Sequence, residues 1–191
     1  MKYFYFFLII FLACTNTEVR IEKHPNGQLM YSEEYKDGVK HGQAIYFDQN
    51  ADTAAVHQYK NGKQHGAQKI FTTDGTTSIY YVVDGIRHGT DSSFHSNGQL
   101  SSVGIYENGK QEGIWKHYHE TGEFWFESNW KNGKQEGALN SFHPNGNKET
   151  ECMIVNGKLE GIASFYDVAG VLTHQIIYKH SVPLDTIRAS R

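Results

Sequence analysis

Apolar and aromatic side chains along most of this chain fall two residues apart in short runs: Leu29 and Tyr31, then Tyr35; Phe124 and Phe126, then Trp130. A period of two puts alternate residues on one face of a strand, and runs this short and this aromatic do not build helices. The runs are in step with one another. Tyr35, Tyr59, Val82, Tyr106, Trp130, Ile154 and Tyr178 form one column, and Phe47, Phe71, Phe94, Tyr118, Phe142 and Tyr166 form a second. Each column advances by 24 residues, with a single interval of 23.

Glycines punctuate the columns. Gly38, Gly62, Gly85, Gly109, Gly133 and Gly157 stand three residues after the first column, each with a second glycine four residues on. A parallel series, Gly27, Gly75, Gly98, Gly122, Gly146 and Gly170, keeps the same period, with Ala51 in its second place. The hexapeptide NGKQEG occurs at 108–113 and again at 132–137. Asn-Gly and Asp-Gly supply two consecutive residues that tolerate positive φ, which a tight hairpin turn demands. Both series therefore read as turns, one along each edge of a sheet, and the second glycine of each pair reads as a bulge opening the return strand. The expected fold is all-β: an elongated antiparallel meander of ~24-residue β-hairpin repeats, with roughly fourteen strands. Six full repeats and flanking half-repeats cover 18–178. Residues 179–191 read as a cap, because YKHSVPL replaces the turn motif and Pro183 is expected to block further pairing.

The N-terminus is of another kind. MKYFYFFLIIFLAC carries one Lys, an apolar run and then Ala13-Cys14. That run is shorter than the ~20 residues a spanning helix needs, and its layout fits a secretory signal over 1–13. Leu12-Ala13-Cys14 resembles a bacterial lipobox, which makes Cys14 the expected lipid attachment point and 14–17 a linker. Phe11 and the short signal depart from the usual pattern; a plain signal peptide, with the protein secreted or periplasmic, is the alternative. Cys152 would then stand unpaired as a small hydrophobe.

Composition narrows the functional classes. The net charge is −3, with no basic cluster to suit nucleic acid. The eleven histidines fall in columns: His41, His65 and His88 precede the second glycine in the first three repeats, where Glu112, Glu136 and Glu160 stand in the last three. Column mates would lie about 10 Å apart, too far to share a zinc ion. No metal or cofactor is therefore expected. The His-to-Glu change would make the first half more positive below about pH 6.5. No nucleophile elbow, phosphate loop, dinucleotide fingerprint or H-E-x-x-H occurs; HETGE at 119–123 lacks the second histidine. Catalysis is not expected.

The pattern Y-x-N-G-K-x-x-G, with an aromatic five residues after the second glycine and then NG, resembles the MORN-repeat variant family over nearly all of the chain beyond the signal. The resemblance implies hairpin repeats in a curved sheet that bind or scaffold, and many bacterial members carry an antitoxin-type label. The expectation is a non-enzymatic, envelope-anchored protein that binds a partner protein, as a scaffold or in an antitoxin- or immunity-like role. Tyr46, Trp115 and Trp125, read as lying on the opposite parity from the main columns, are its candidate anchors. A glycan- or cell-wall-binding module is the alternative, since Trp- and Tyr-rich hairpins can form platforms for sugars.

Overall fold

The computed structural model describes residues 10–11 and 16–188. The rest of the signal segment and Cys14 lie outside the described residues. The strands are β1 (Ile10–Phe11), β2 (Thr17–Lys23), β3 (Leu29–Lys36), β4 (Val39–Phe47), β5 (Thr53–Lys60), β6 (Lys63–Gln64), β7 (Gly66–Phe71), β8 (Thr77–Val83), β9 (Ile86–Phe94), β10 (Leu100–Glu107), β11 (Lys110–Tyr118), β12 (Phe124–Lys131), β13 (Lys134–Phe142), β14 (Lys148–Val155), β15 (Lys158–Tyr166), β16 (Leu172–Lys179) and β17 (Val182–Arg188). No helix occurs among the described residues. The chain divides into two compact units, Met1–Gly89 and Thr90–Arg191. Within each, strands pair antiparallel with their neighbours in sequence, β2 through β8 in the first and β10 through β17 in the second.

The two sets of turns differ in kind. At the Asn/Asp-Gly set that follows the first column both central residues have positive φ, as in Asn132 (52°) with Gly133 (77°) and Asp37 (52°) with Gly38 (75°). This is the mirror-image two-residue turn whose twist matches that of the strands it joins. At the other set only the glycine does: Gly27 is at 87°, and Asn26 is not left-handed. Here Gly27 N–H donates to His24 O at 2.8 Å, a turn of the ordinary hand closed by a left-handed residue. The expectation of two positive φ values at this edge is corrected. The Asn serves through its side chain instead: Asn26 Oδ1 accepts from Gln28 N at 3.0 Å, and Nδ2 donates to Gln49 O at 2.8 Å, one repeat further on.

The C-terminal end makes one further hairpin. His180 (52°) and Ser181 (67°) make the tight turn without a glycine, and β17 then pairs with β16 as far as His174↔Arg188. Pro183 sits opposite Tyr178 beside a register shift, on a strand with no other partner among the described residues. An edge is where a missing N–H is tolerated.

Two kinds of bulge recur. Opposite the second glycine the register slips, as between Glu33 and Tyr35, where Gly42 has φ 103°. After the other turn an extra residue is squeezed out. Tyr118 pairs with Phe124 and His117 with Phe126, so Trp125 has no partner across the ladder and its ring lies to the side of Phe126, 4.8 Å away. Met30, Ala54, Glu149 and Thr173 hold the equivalent place. The β7–β8 pair runs from Gly66↔Val82 to Phe71↔Thr77 with no such slip. The interval of 23 is a repeat that has lost this bulged residue.

The former functional candidates among the histidines and glutamates lock one repeat to the next. Glu112 Oε2 accepts Asn132 N–H at 2.8 Å, Glu136 accepts Asn156 N–H at 2.7 Å, and Glu160 accepts His180 N–H at 2.8 Å. In the first unit His41 Nδ1 takes this part more weakly, 3.5 Å from Asn61 N. Along the other edge Nε2 of His24, His95 and His143 lies 3.0 Å from the carbonyls of Phe47, Tyr118 and Tyr166 respectively.

Candidate functional site

Directly opposed residues on paired strands share a face, so the register assigns the side chains. Tyr35, Tyr59, Tyr106 and Trp130 fall on what is here termed the packed face, because Ala44, Val82, Trp115, Ser128 and Ile154 are buried on it too. Tyr46 and Trp115 also lie there: Tyr46 pairs with Tyr31, and Trp115 pairs with Ser128. Both share the face of the first aromatic column, lying an even number of residues along the strand from Lys40 and Gln111, which pair with Tyr35 and Tyr106. Trp115 is only 6% exposed. The expectation that it and Tyr46 stand out as surface anchors is corrected.

Along the middle of the packed face the two units differ. In the first, the row across the strands is polar: Arg20, Glu33, Ala44 and His57, followed by Gln68 and Tyr80. Glu33 is 6% exposed; its Oε1 accepts from Lys40 Nζ at 2.7 Å and from Tyr46 O–H at 2.6 Å, and its Oε2 from Tyr35 O–H at 2.8 Å. Burial raises the Glu33 pKa, but these three donors outweigh it and hold the carboxyl below its usual value. Burial and the same carboxylate push the Tyr46 hydroxyl well above its ordinary range, and burial with Glu22 takes Tyr31 up to about 12. Lys40 lies 4.8 Å from the Tyr59 ring centre and Arg20 lies 3.9 Å from that of Tyr35. His57 Nδ1–H donates to Gln68 Oε1 at 2.8 Å. Both Glu33 oxygens are engaged by the chain itself, so the cluster works as a structural network.

In the second unit the same row is mostly apolar: Trp115, Ser128, Leu139 and Cys152, then Ala163 and Ile176. Small and large residues alternate. Trp115 lies over Gly104, where a Cβ would come within 2.1 Å of the indole, and it meets Tyr106 edge-on at 5.6 Å. His117 stacks on Phe126 at 4.0 Å, and two repeats later the pair recurs with its members exchanged, Phe165 on His174 at 4.5 Å. Burial lowers the His117 pKa. Burial, with Glu151 nearby, raises that of the Cys152 thiol, so this free cysteine is poorly disposed to react.

The open face of the second unit presents the candidate surface. Ile114 pairs with Asn129, Ala138 with Met153 and Ile162 with Ile177, forming a band across successive strands. Ile105, Ile114, Met153 and Ile162 on this face are each about half exposed. A polar row, Lys116 with Glu127 and Asn140 with Glu151, borders the band. Trp125 is 44% exposed because the bulge turns it out, and its ring lies 5.1 Å from His119 and 4.8 Å from Phe126. Reading the glycine period singled out Trp125 and passed over the isoleucine band, whose residues belong to neither aromatic column.

In the first unit a cleft of about 400 Å³ lies between the turns at 48–54 and 71–76. Of its lining carboxylates Asp48 already braces a turn, its Oδ1 accepting from Asn50 N and Asp52 N. Among the described residues no group of three His, Cys, Asp or Glu side chains could hold a metal ion.

A family described as MORN repeat variant matches residues 19–37 and 111–132. No curated protein matches the chain. Among solved structures, a porin-like protein from Bacteroides uniformis is similar at 10% identity over 95% of this chain and 94% of that one, with a TM-score of 0.24, too low to carry an argument. The two matched segments fall one in each unit, each on strands that carry the same turn and bulge at the same period, and over these segments the chain is similar to the MORN repeat variant.

Proposed function

We propose that this chain is a non-enzymatic repeat protein that binds a partner protein, tethered to the bacterial envelope by lipid on Cys14, as a scaffold or in an antitoxin- or immunity-like role. The observation that carries the reading is the half-exposed apolar band on the open face of the second unit, with polar neighbours alongside. A contiguous apolar strip bordered by polar side chains is the surface character of protein interaction sites. Trp125, 44% exposed at the bulge of β12, adds an aromatic anchor in the same unit. Glycan binding is the competing reading, supported by that exposed indole beside His119.

The test captures envelope and cytosolic proteins on the purified chain from Thr15 onward, beside Ile114→Glu and Trp125→Ala variants that keep the wild-type melting curve. One stoichiometric protein, retained by wild type and lost with Ile114→Glu, is the expected result. Retention on cell-wall polysaccharide that depends on Trp125 alone would replace this reading with the glycan one. Tethering is checked separately: fatty-acid labelling in the native cell should occur and should vanish in Cys14→Ser.

A further inference from the structure

We propose that Asn61, Asn132 and Asn156 are sites of spontaneous deamidation in the folded chain, while Asn26, Asn97 and Asn145, also followed by glycine, are protected by the fold. An asparagine before glycine is chemically labile because no side chain shields the next backbone nitrogen. The glycine nitrogen attacks Asn Cγ, forming one C–N bond. The side-chain amide leaves as ammonia, carrying away the proton from the glycine nitrogen. Water then opens the cyclic imide at either carbonyl, giving aspartate or isoaspartate. No oxidant or cofactor takes part.

The attack is intramolecular, so its rate depends on how freely Cγ can approach the nitrogen. At one edge the side chain is held at both ends. Asn97 Oδ1 accepts from Gln99 N at 2.9 Å and Nδ2 donates to Glu120 O at 2.6 Å; Asn145 Oδ1 accepts from Asn147 N at 3.0 Å and Nδ2 donates to Val168 O; Asn26 is held in the same way. At the other edge Asn61, Asn132 and Asn156 are exposed, and their side-chain amides make no hydrogen bond among the described residues. There the glycine nitrogen is restrained by one bond to the preceding repeat, Gly62 N to Lys40 O at 2.8 Å, Gly133 N to Gln111 O at 2.9 Å and Gly157 N to Gln135 O at 3.1 Å. The protected edge has its own glycine bond, Gly98 N to His95 O at 2.9 Å. The difference therefore lies in the side chains.

The array already contains the product. Asp37 and Asp84 occupy the same turn position at φ 52° and 51°, against 51°, 52° and 52° for Asn61, Asn132 and Asn156. What differs is the neighbour from the preceding repeat. Asp37 meets Asn16 Nδ2 at 2.7 Å and Asp84 lies 3.4 Å from His65 Nδ1, whereas Glu112 and Glu136 bind the backbone of Asn132 and Asn156. A new carboxylate at 132 or 156 would face a glutamate, and like charges at that range repel. At 61 it would face His41, 3.5 Å from Asn61 N. Conversion therefore loosens the turns of the second unit and leaves the turn at 61 closed.

The experiment incubates the full chain at mildly alkaline pH, folded and in urea, and follows each Asn-Gly peptide by mass spectrometry. Faster conversion at Asn61, Asn132 and Asn156 than at Asn26, Asn97 and Asn145 in the folded chain, by at least several-fold and converging in urea, is expected. Equal or reversed rates in the folded chain would overturn the proposal, and so would a difference that persists in urea, since sequence alone would then explain it. The charge argument is tested by direct substitution: Asn132→Asp should lower Tm, and Asn61→Asp should not. An equal or larger drop for Asn61→Asp refutes it.

Discussion

Trp115 and Gly104 form a single packing arrangement in which an indole covers the backbone of a residue with no side chain. A methyl group at 104 would collide with the ring, so Gly104→Ala is expected to destabilise although its backbone is unexceptional. Trp115→Ala removes the largest buried side chain of the second unit and should cost roughly 3 kcal/mol. Trp115 Nε1 is buried without a hydrogen-bond partner, so Trp115→Phe gives up no bond there and should cost far less; chemical denaturation of the three variants checks the order. His117 tests electrostatics at the same scale. Burial holds its folded pKa below the ordinary 6.5. As pH falls through that value the unfolded chain takes up a proton that the folded chain resists, so stability is lost on the acid side. His117→Phe, which extends the ring stack with Phe126, should melt higher than wild type at pH 5.5 by a margin that shrinks at pH 8. Glu33 supplies a lower window. Its pKa is depressed, so its contribution is present above the unfolded carboxyl value and is lost as pH falls through the folded one. Glu33→Gln should therefore be less stable than wild type at pH 7, with the gap closing in acid.

At the scale of one hairpin, the interval of 23 serves as a natural control. Because β7 and β8 pair without the bulge found elsewhere, deleting Trp125 should convert its repeat to that bulge-free form. Phe126 would keep its place against His117 and Phe124 its place against Tyr118, while the contacts of the Trp125 ring with His119 and Phe126 are given up. The expected outcome is an intact β-sheet signal by circular dichroism and a moderately lower Tm. Deleting Glu127 instead puts Phe126 outside and Trp125 inside, and should lower Tm more. Strand type, period and both sets of turns were legible, because glycine spacing and alternation are local signals. That Trp115 and Tyr46 are buried was not legible, because they oppose the second column but share the packed face with the first, and alternation alone does not say which column's face is packed. The Asn-Gly dipeptides looked alike, yet they make two different turns that are distinguished by hydrogen bonds to the following repeat. The Glu and His columns stood out clearly, but their role as acceptors for the next turn depends on a neighbour some twenty residues away.

For the array as a whole, stability rests on contacts between consecutive hairpins. Within each unit consecutive hairpins pair, and turns are tied to the repeat before them, as Gly133 N is to Gln111 O and Gly157 N to Gln135 O. In such a quasi-one-dimensional array a unit can be removed if the surfaces it leaves behind match. Excising residues 134–157 joins Gly133 to Lys158 and brings β15 against β12. Leu159 would then face Trp130 as Gln135 now does, and Phe165 would face Phe126 in place of Ser141. The turn Asn132-Gly133 keeps its lysine, and Glu112 keeps its bond to Asn132 N. The shortened chain should fold, with cooperative melting and a lower Tm, since one set of neighbour contacts is gone. Excising the half-period 134–145 instead sets β14 against β12 and throws the columns out of step. It should abolish the cooperative transition. If the two deletions melted alike, the energy of the fold would not be organised by the 24-residue period.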